Sequence, residues 1–226
     1  MTSDDVTSRL LPNQQRKGGV TVAGETQNRW VARPDPAEKD ATVPQAVAPA
    51  NSFSVVRPQP GAVDHPAQGL PVGVTPVSAG SGWWWLGCHG GAGVTTLEHA
   101  VPGGRDAHRM WPAGVPGWPA HPVVLVCRSS YGGLTAAQRA AAQWASGALL
   151  GVDLLGLVVV ADAPGRLPRP LRDFCRLVSG GVPQTWTVPW VEPWRLGNPP
   201  TTHQPSELGA LRRTLTHHTH QETHRV

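Results

Sequence analysis

Three apolar runs constrain this chain more than any other feature: Trp83-Trp84-Trp85-Leu86-Gly87-Cys88, Pro122-Val123-Val124-Leu125-Val126-Cys127, and Leu154 to Ala161, LLGLVVVA. None of them alternates polar with apolar residues. A sheet made from them must therefore be covered on both faces, as in a parallel sheet flanked by helices. The intervening segments supply the helices. Leu134 to Leu149 is Ala-rich, with Ser130 or Thr135 placed to cap its start. Pro168 to Ser179 opens with prolines suited to a first helical turn, and Leu171, Phe174, Cys175 and Val178 form its apolar stripe. Thr185 to Val188 reads as a fourth short strand, whereas residues 101–121 are interrupted by Pro and Gly throughout and read as loop. This order predicts a small three-layer α/β domain over residues 82–197, with a parallel sheet and right-handed crossovers.

Composition separates this core from its flanks. Gly (26) and Pro (24) are abundant in the 226 residues, and residues 1–81 hold only Trp30 and Phe53 as aromatics. That segment buries too little apolar surface to offset chain entropy, and reads as a disordered Pro/Gly-rich arm. Residues 198–226 read as a linker and a short helical tail, whose His217, His218, His220 and His224 have no carboxylate or thiolate nearby to complete a metal site. Nine of the ten tryptophans fall between 83 and 194. Trp83, Trp84 and Trp85 cannot all face one side of a strand, and some are expected to meet Trp111 and Trp118 in the core. Trp190 and Trp194 follow the last strand, where they either mark a partner surface or cap the sheet.

Several function classes are excluded at this stage. No apolar run approaches the roughly 20 residues of a membrane span. The start, MTSDDVTSRLLPNQQRK, has no apolar h-region, so the expectation is a cytoplasmic protein. Cys88, Cys127 and Cys175 are too few and scattered for a disulfide framework; Cys88 and Cys127 read as small buried residues ending neighbouring strands. The net charge of +4 contains no dense Lys/Arg run, so nucleic acid is not indicated. Arg169, Arg172 and Arg176 share a helical face, which reads as a solvated basic surface or as a receiver for phosphate or an acidic partner.

The segment Cys88-His89-Gly90-Gly91-Ala92-Gly93-Val94-Thr95-Thr96 directly follows the first strand and enters a short helix, Thr95 to Ala100. Glycines there let backbone N–H groups turn inward around an anion. The segment resembles the loop of the MinD/ParA-type branch of P-loop NTPases, the SIMIBI type, G-K-G-G-x-G-K-T-T. Gly90, Gly91, Gly93, Thr95 and Thr96 fall on matching positions. Cys88 replaces the first glycine, His89 the signature lysine and Val94 the P-loop lysine. Downstream, PVVLVCRSSYGGLTAAQRAAAQWA and LLGLVVVADAPGRLPRPLRDF are similar to later strands and helices of that branch, and the whole arrangement resembles an uncharacterised actinobacterial family of P-loop-like proteins. The segment between the first two long strands has no room for the helix and two strands normally found there.

The resemblance implies a nucleotide site, with ATP or ADP and magnesium as cofactors, held by Gly90, Gly91, Gly93, Thr95 and Thr96. It also implies a nucleotide-sandwiched homodimer. Valine cannot contact the β- and γ-phosphates as lysine does, so the expectation is a degenerate Walker A protein that acts by binding nucleotide, phosphate or a protein partner without efficient hydrolysis. Arg128, following the second strand, is the best substitute for the lost lysine. Asp162 ends an apolar strand in Asp-Ala-Pro-Gly; with Thr95 it orients magnesium, or it simply satisfies a turn. Two alternatives are carried forward: an unconventional ATPase using Thr95, Asp162 and Arg128, and a Trp-rich scaffold with a vestigial loop.

Overall fold

A computed structural model of the chain describes residues 56–74, 82–201 and 204–223. Five parallel strands form the main sheet: β2 (Trp83–Gly87), β3 (Gly104–Asp106), β5 (His121–Arg128), β6 (Val152–Val160) and β7 (Thr185–Val188), ordered β3-β2-β5-β6-β7. Two further strands, β1 (Val72–Val74) and β4 (Trp111–Ala113), pair in parallel as a separate ribbon. The helices are α1 (Val94–Ala100), α2 (Tyr131–Ala145), α3 (Arg169–Ser179), α4 (Glu192–Arg195) and α5 (Glu207–Thr223). Counted within the main sheet alone, the order is 2-1-3-4-5, the doubly wound pattern whose switch point lies between β2 and β5.

Burial on both faces of the sheet follows from the uninterrupted apolar runs. On one face, Leu97 and Ala100 of α1 with Leu208, Leu211 and Leu215 of α5 cover Trp83, Trp85, Val124, Val126, Val158 and Val160. On the other, Leu134, Ala137, Ala140 and Trp144 of α2 with Val178 of α3 cover Leu86, Val123, Leu125, Cys127, Leu157 and Val159. The layers are therefore helix, sheet, helix. Alternation along β2 splits the tryptophan run: Trp83 and Trp85 meet edge to face with centroids 5.6 Å apart, while Trp84 turns to the opposite face beside His121. Trp111 joins the second core as expected, but Trp118 is exposed.

The observed elements depart from the sequence reading in four places. Residues 101–121 are not all loop: β3 and β4 are three-residue strands, short enough to fit with α1 between β2 and β5. Of the stripe on α3, Val178 alone is fully buried; Leu171, Phe174 and Cys175 are half-buried because α3 lies at the border of the layer. The fold also reaches past residues 82–197 at both ends. The Gln143 side chain grips Leu70 from both sides, its Oε1 accepting from Leu70 N at 2.8 Å and its Nε2 donating to Leu70 O at 2.9 Å. The same Oε1 accepts from Trp111 Nε1, so part of the supposed arm, residues 56–74, is tied to the domain; residues 1–55 and 75–81 lie outside the described residues.

The tail is the fourth departure. α5 runs 17 residues and three of its leucines are buried in the core. Gln204 Nε2 and Arg212 Nη2 both donate to the Ala100 carbonyl, which closes the end of α1. His218 pairs with Asp153 at 3.3 Å, a carboxylate that the tail's own sequence did not supply, while His217 is exposed; the side chains of His220 and His224 lie outside the described residues. No helix among the described residues is long and apolar enough to cross a membrane. Because Leu211 is fully buried between Leu208 and Leu215, Leu211→Ala should cost about 2–5 kcal/mol in urea denaturation. A loss within about 0.5 kcal/mol, typical of a surface change, would show that α5 is no part of the core.

Candidate functional site

The loop Cys88–Gly93 leaves β2 at the carboxyl edge of the sheet, where doubly wound folds bind their ligands. Cys88 N donates to Val126 O at 2.9 Å, which extends the β2–β5 ladder by one bond and anchors the loop at its start. The turn then requires left-handed backbone at Gly91 (φ 75°) and Gly93 (φ 104°), a conformation that side-chain-bearing residues rarely adopt. His89 is fixed by two contacts. Its Nε2 accepts from Arg128 N at 3.1 Å, so the ring proton resides on Nδ1, which donates to Gly90 O at 2.8 Å. His89 thus locks the loop's own geometry and joins it to the end of β5.

Arg128 completes the connection. Its Nε donates to Gly91 O at 3.1 Å and its Nη1 to Ala161 O at 3.0 Å, so the guanidinium bridges the loop after β2 and the end of β6. Two main-chain acceptors fix the plane of the fork and leave Nη2 toward Gly93. Burial lowers the Arg128 pKa from its ordinary value; Asp162 opposes that shift and the like charge of Arg195 adds to it. Close packing beneath the site is set by Gly133 in the first turn of α2. A Cβ there would run into the Arg128 carbonyl and lie 3.0 Å from His89 Nε2. Ser130 caps the same helix, its Oγ accepting from Gly133 N at 3.3 Å.

Beside Arg128 lies a cleft of about 160 Å³. Gly93, Thr96 and Leu97 form one side, Val160 and Ala161 the floor, and Pro189, Trp190, Val191, Trp194 and Arg195 the other side. Trp190 and Trp194 are neither fully exposed nor fully buried. Trp194 packs on the core, and Trp190 carries the Arg195 guanidinium over its ring at 5.2 Å while its Nε1 donates to Glu192. Sequence reasoning did not single out Arg195 or α4, because their approach to Arg128 depends on the order of β5, β6 and β7 in the sheet.

The expected ligand residues divide into two groups. Gly93, Thr96 and Arg128 line the cleft together; Gly90 and Gly91 shape the loop beside it. Thr95 is exposed and outside the cleft lining, its carbonyl taken by His99 Nδ1 at 2.7 Å. Asp162 is likewise exposed, and its backbone N donates to Ser129 Oγ at 3.0 Å in a turn. Among the described residues no three His, Cys, Asp or Glu side chains are grouped to hold a metal ion. The pair expected to hold magnesium, Thr95 and Asp162, is not brought to the cleft, and no chemical step is routed through the ion. Val94 is buried and packs against Gly87, facing away from solvent. On α3, Asp173 neutralises part of the basic face by pairing with Arg169 at 3.8 Å and Arg176 at 3.0 Å, leaving a solvated surface.

Cys88 and Cys127 follow the paired Gly87 and Val126 and are buried in the same core. Burial pushes the Cys88 thiol up to about 12, and raises Cys127 further with the help of Cys88 and Cys175. Neither thiol ionises near neutrality, which removes both as nucleophiles. Half-buried Cys175 is raised less. Iodoacetamide at pH 8 should accordingly modify at most Cys175 in the native protein and all three cysteines in denaturant, as counted by mass spectrometry. Rapid native labelling of Cys88 or Cys127 would contradict the packing described.

No curated protein and no solved structure matches this chain. The sequence profile of a family of unknown function does, over residues 81–208, more than half of the chain and nearly the whole of the sheet with its flanking helices. The chain belongs to that family, DUF6668.

Proposed function

We propose that this protein binds a phosphate-bearing ligand at the carboxyl edge of its sheet without turning it over, as a degenerate relative of the MinD/ParA-like P-loop proteins. The observation that carries this reading is Arg128, whose fork is held by the Gly91 and Ala161 carbonyls while Nη2 faces Gly93 and the cleft. It supplies the permanent charge that Val94 does not, and its position is already fixed before a ligand arrives. Thr96 and Arg195 add a hydroxyl and a second cation to the same space. The protein acts in the cytoplasm, where its three free thiols stay reduced.

The unconventional ATPase is the weaker reading. Thr95 and Asp162, the two residues expected to hold magnesium, do not line the cleft. Restoring the P-loop lysine would not repair this, because Val94 is 9% exposed and a lysine there would carry its charge toward the packed Gly87. Val94→Lys should therefore lower thermal stability and release no phosphate from ATP. A stable Val94→Lys variant with measurable turnover would restore the ATPase reading.

Calorimetric titration of the wild type with inorganic phosphate, ADP and ATP tests the binding itself. Arg128→Ala should weaken whatever binding is seen by roughly 10- to 100-fold, the equivalent of one charge-assisted hydrogen bond. Wild-type binding that survives Arg128→Ala unchanged, or no heat from any of the three ligands, would overturn the reading.

A further inference from the structure

Resting on that reading, we infer that the cleft between Arg128 and Arg195 is built for one terminal phosphate group, that of a phosphomonoester or free phosphate, and does not take a nucleoside polyphosphate. The two guanidiniums come from different elements, the end of β5 and α4, and both line one cleft of about 160 Å³. Among the described residues neither has a carboxylate within ion-pair distance. Burial lowers the Arg128 pKa, the carboxylate of Asp162 opposes that shift, and the like charge of Arg195 adds to it. An anion in a cleft lined by both guanidiniums is attracted by each of them.

Each arginine is also positioned independently of any ligand. Arg128 is held by two carbonyls, and Arg195 rests on the Trp190 ring, whose Nε1 is in turn held by Glu192. Such fixation lowers the entropy lost on binding. Besides Thr96, which offers a hydroxyl, the remaining side chains, Leu97, Val160, Pro189, Val191 and Trp194, present mainly apolar surface. Pockets that enclose drug-sized molecules run from about 300 to 1,000 Å³, whereas the enclosed part of this cleft, about 160 Å³, matches a tetrahedral oxyanion with a short tail.

The test is calorimetry on the full chain in 150 mM salt with three probes: inorganic phosphate, free phosphoserine, and ATP without magnesium. Wild type is compared with Arg195→Ala and Arg195→Lys. Arg195 is exposed, so thermal melting of both variants should match the wild type. The expected result is binding of phosphate and phosphoserine that falls about tenfold or more in Arg195→Ala and recovers in part in Arg195→Lys, with ATP binding no tighter than phosphate. Tighter phosphoserine than phosphate identifies an ester as the ligand; the reverse order identifies the free anion. Phosphate binding indifferent to Arg195→Ala overturns the inference. ATP binding tenfold tighter than phosphate, unchanged by Arg195→Ala but lost in Arg128→Ala, also overturns it while leaving the broader binding function standing. Absence of binding for all three probes overturns both.

Discussion

The guanidinium of Arg128 is the interaction on which the carboxyl edge of this protein depends. Its hydrogen bonds to Gly91 O and Ala161 O join the loop after β2 to the end of β6, across the strand that carries the arginine itself. His89 reinforces the same joint by accepting from the Arg128 amide and donating to Gly90 O. The sheet beneath is covered on both faces, so the ends of its parallel strands are where polar groups can gather. Arg128 organises those ends and, with Nη2 left toward Gly93, faces the cleft that α1, β6 and α4 enclose.

Rigidity and charge are separate contributions here. A P-loop lysine is a flexible point charge positioned by its helix, whereas Arg128 is a planar fork with two of its donors already committed to main chain. Arg128 places a cation beside the loop from the β5 side, while Val94 is buried in the core. Turnover would need more than a cation. It would need oxygen ligands for magnesium, and the two candidates, Thr95 and Asp162, stand outside the cleft.

Much of the architecture was legible in the sequence. The uninterrupted apolar runs at 83–88, 122–127 and 154–161 could only be strands covered on both sides, and Ser130 announced the start of α2. Loop glycines and Arg128 were legible as well, because left-handed turns and a charge at a strand end are local properties. What escaped was non-local. β3 and β4 are too short to leave a periodic pattern, and Leu70 is held by a glutamine 73 residues away. The leucines of α5 lie among threonines and histidines, where a tail was the simpler reading. Arg195 became a site residue only through strand order, since nothing near it in the chain points to Arg128.

The central claim is that Arg128 and Arg195 face one anion together. Heteronuclear NMR of the arginine Nε–H signals during a phosphate titration tests it most directly, because each side chain reports for itself. The account predicts saturable shifts of the Arg128 and Arg195 Nε signals with a common midpoint, accompanied by the Gly91 and Gly93 amides, while Arg166, Arg169, Arg172 and Arg176 stay unmoved. Shifts confined to those four arginines, or no saturable change at Arg128 and Arg195, would contradict it.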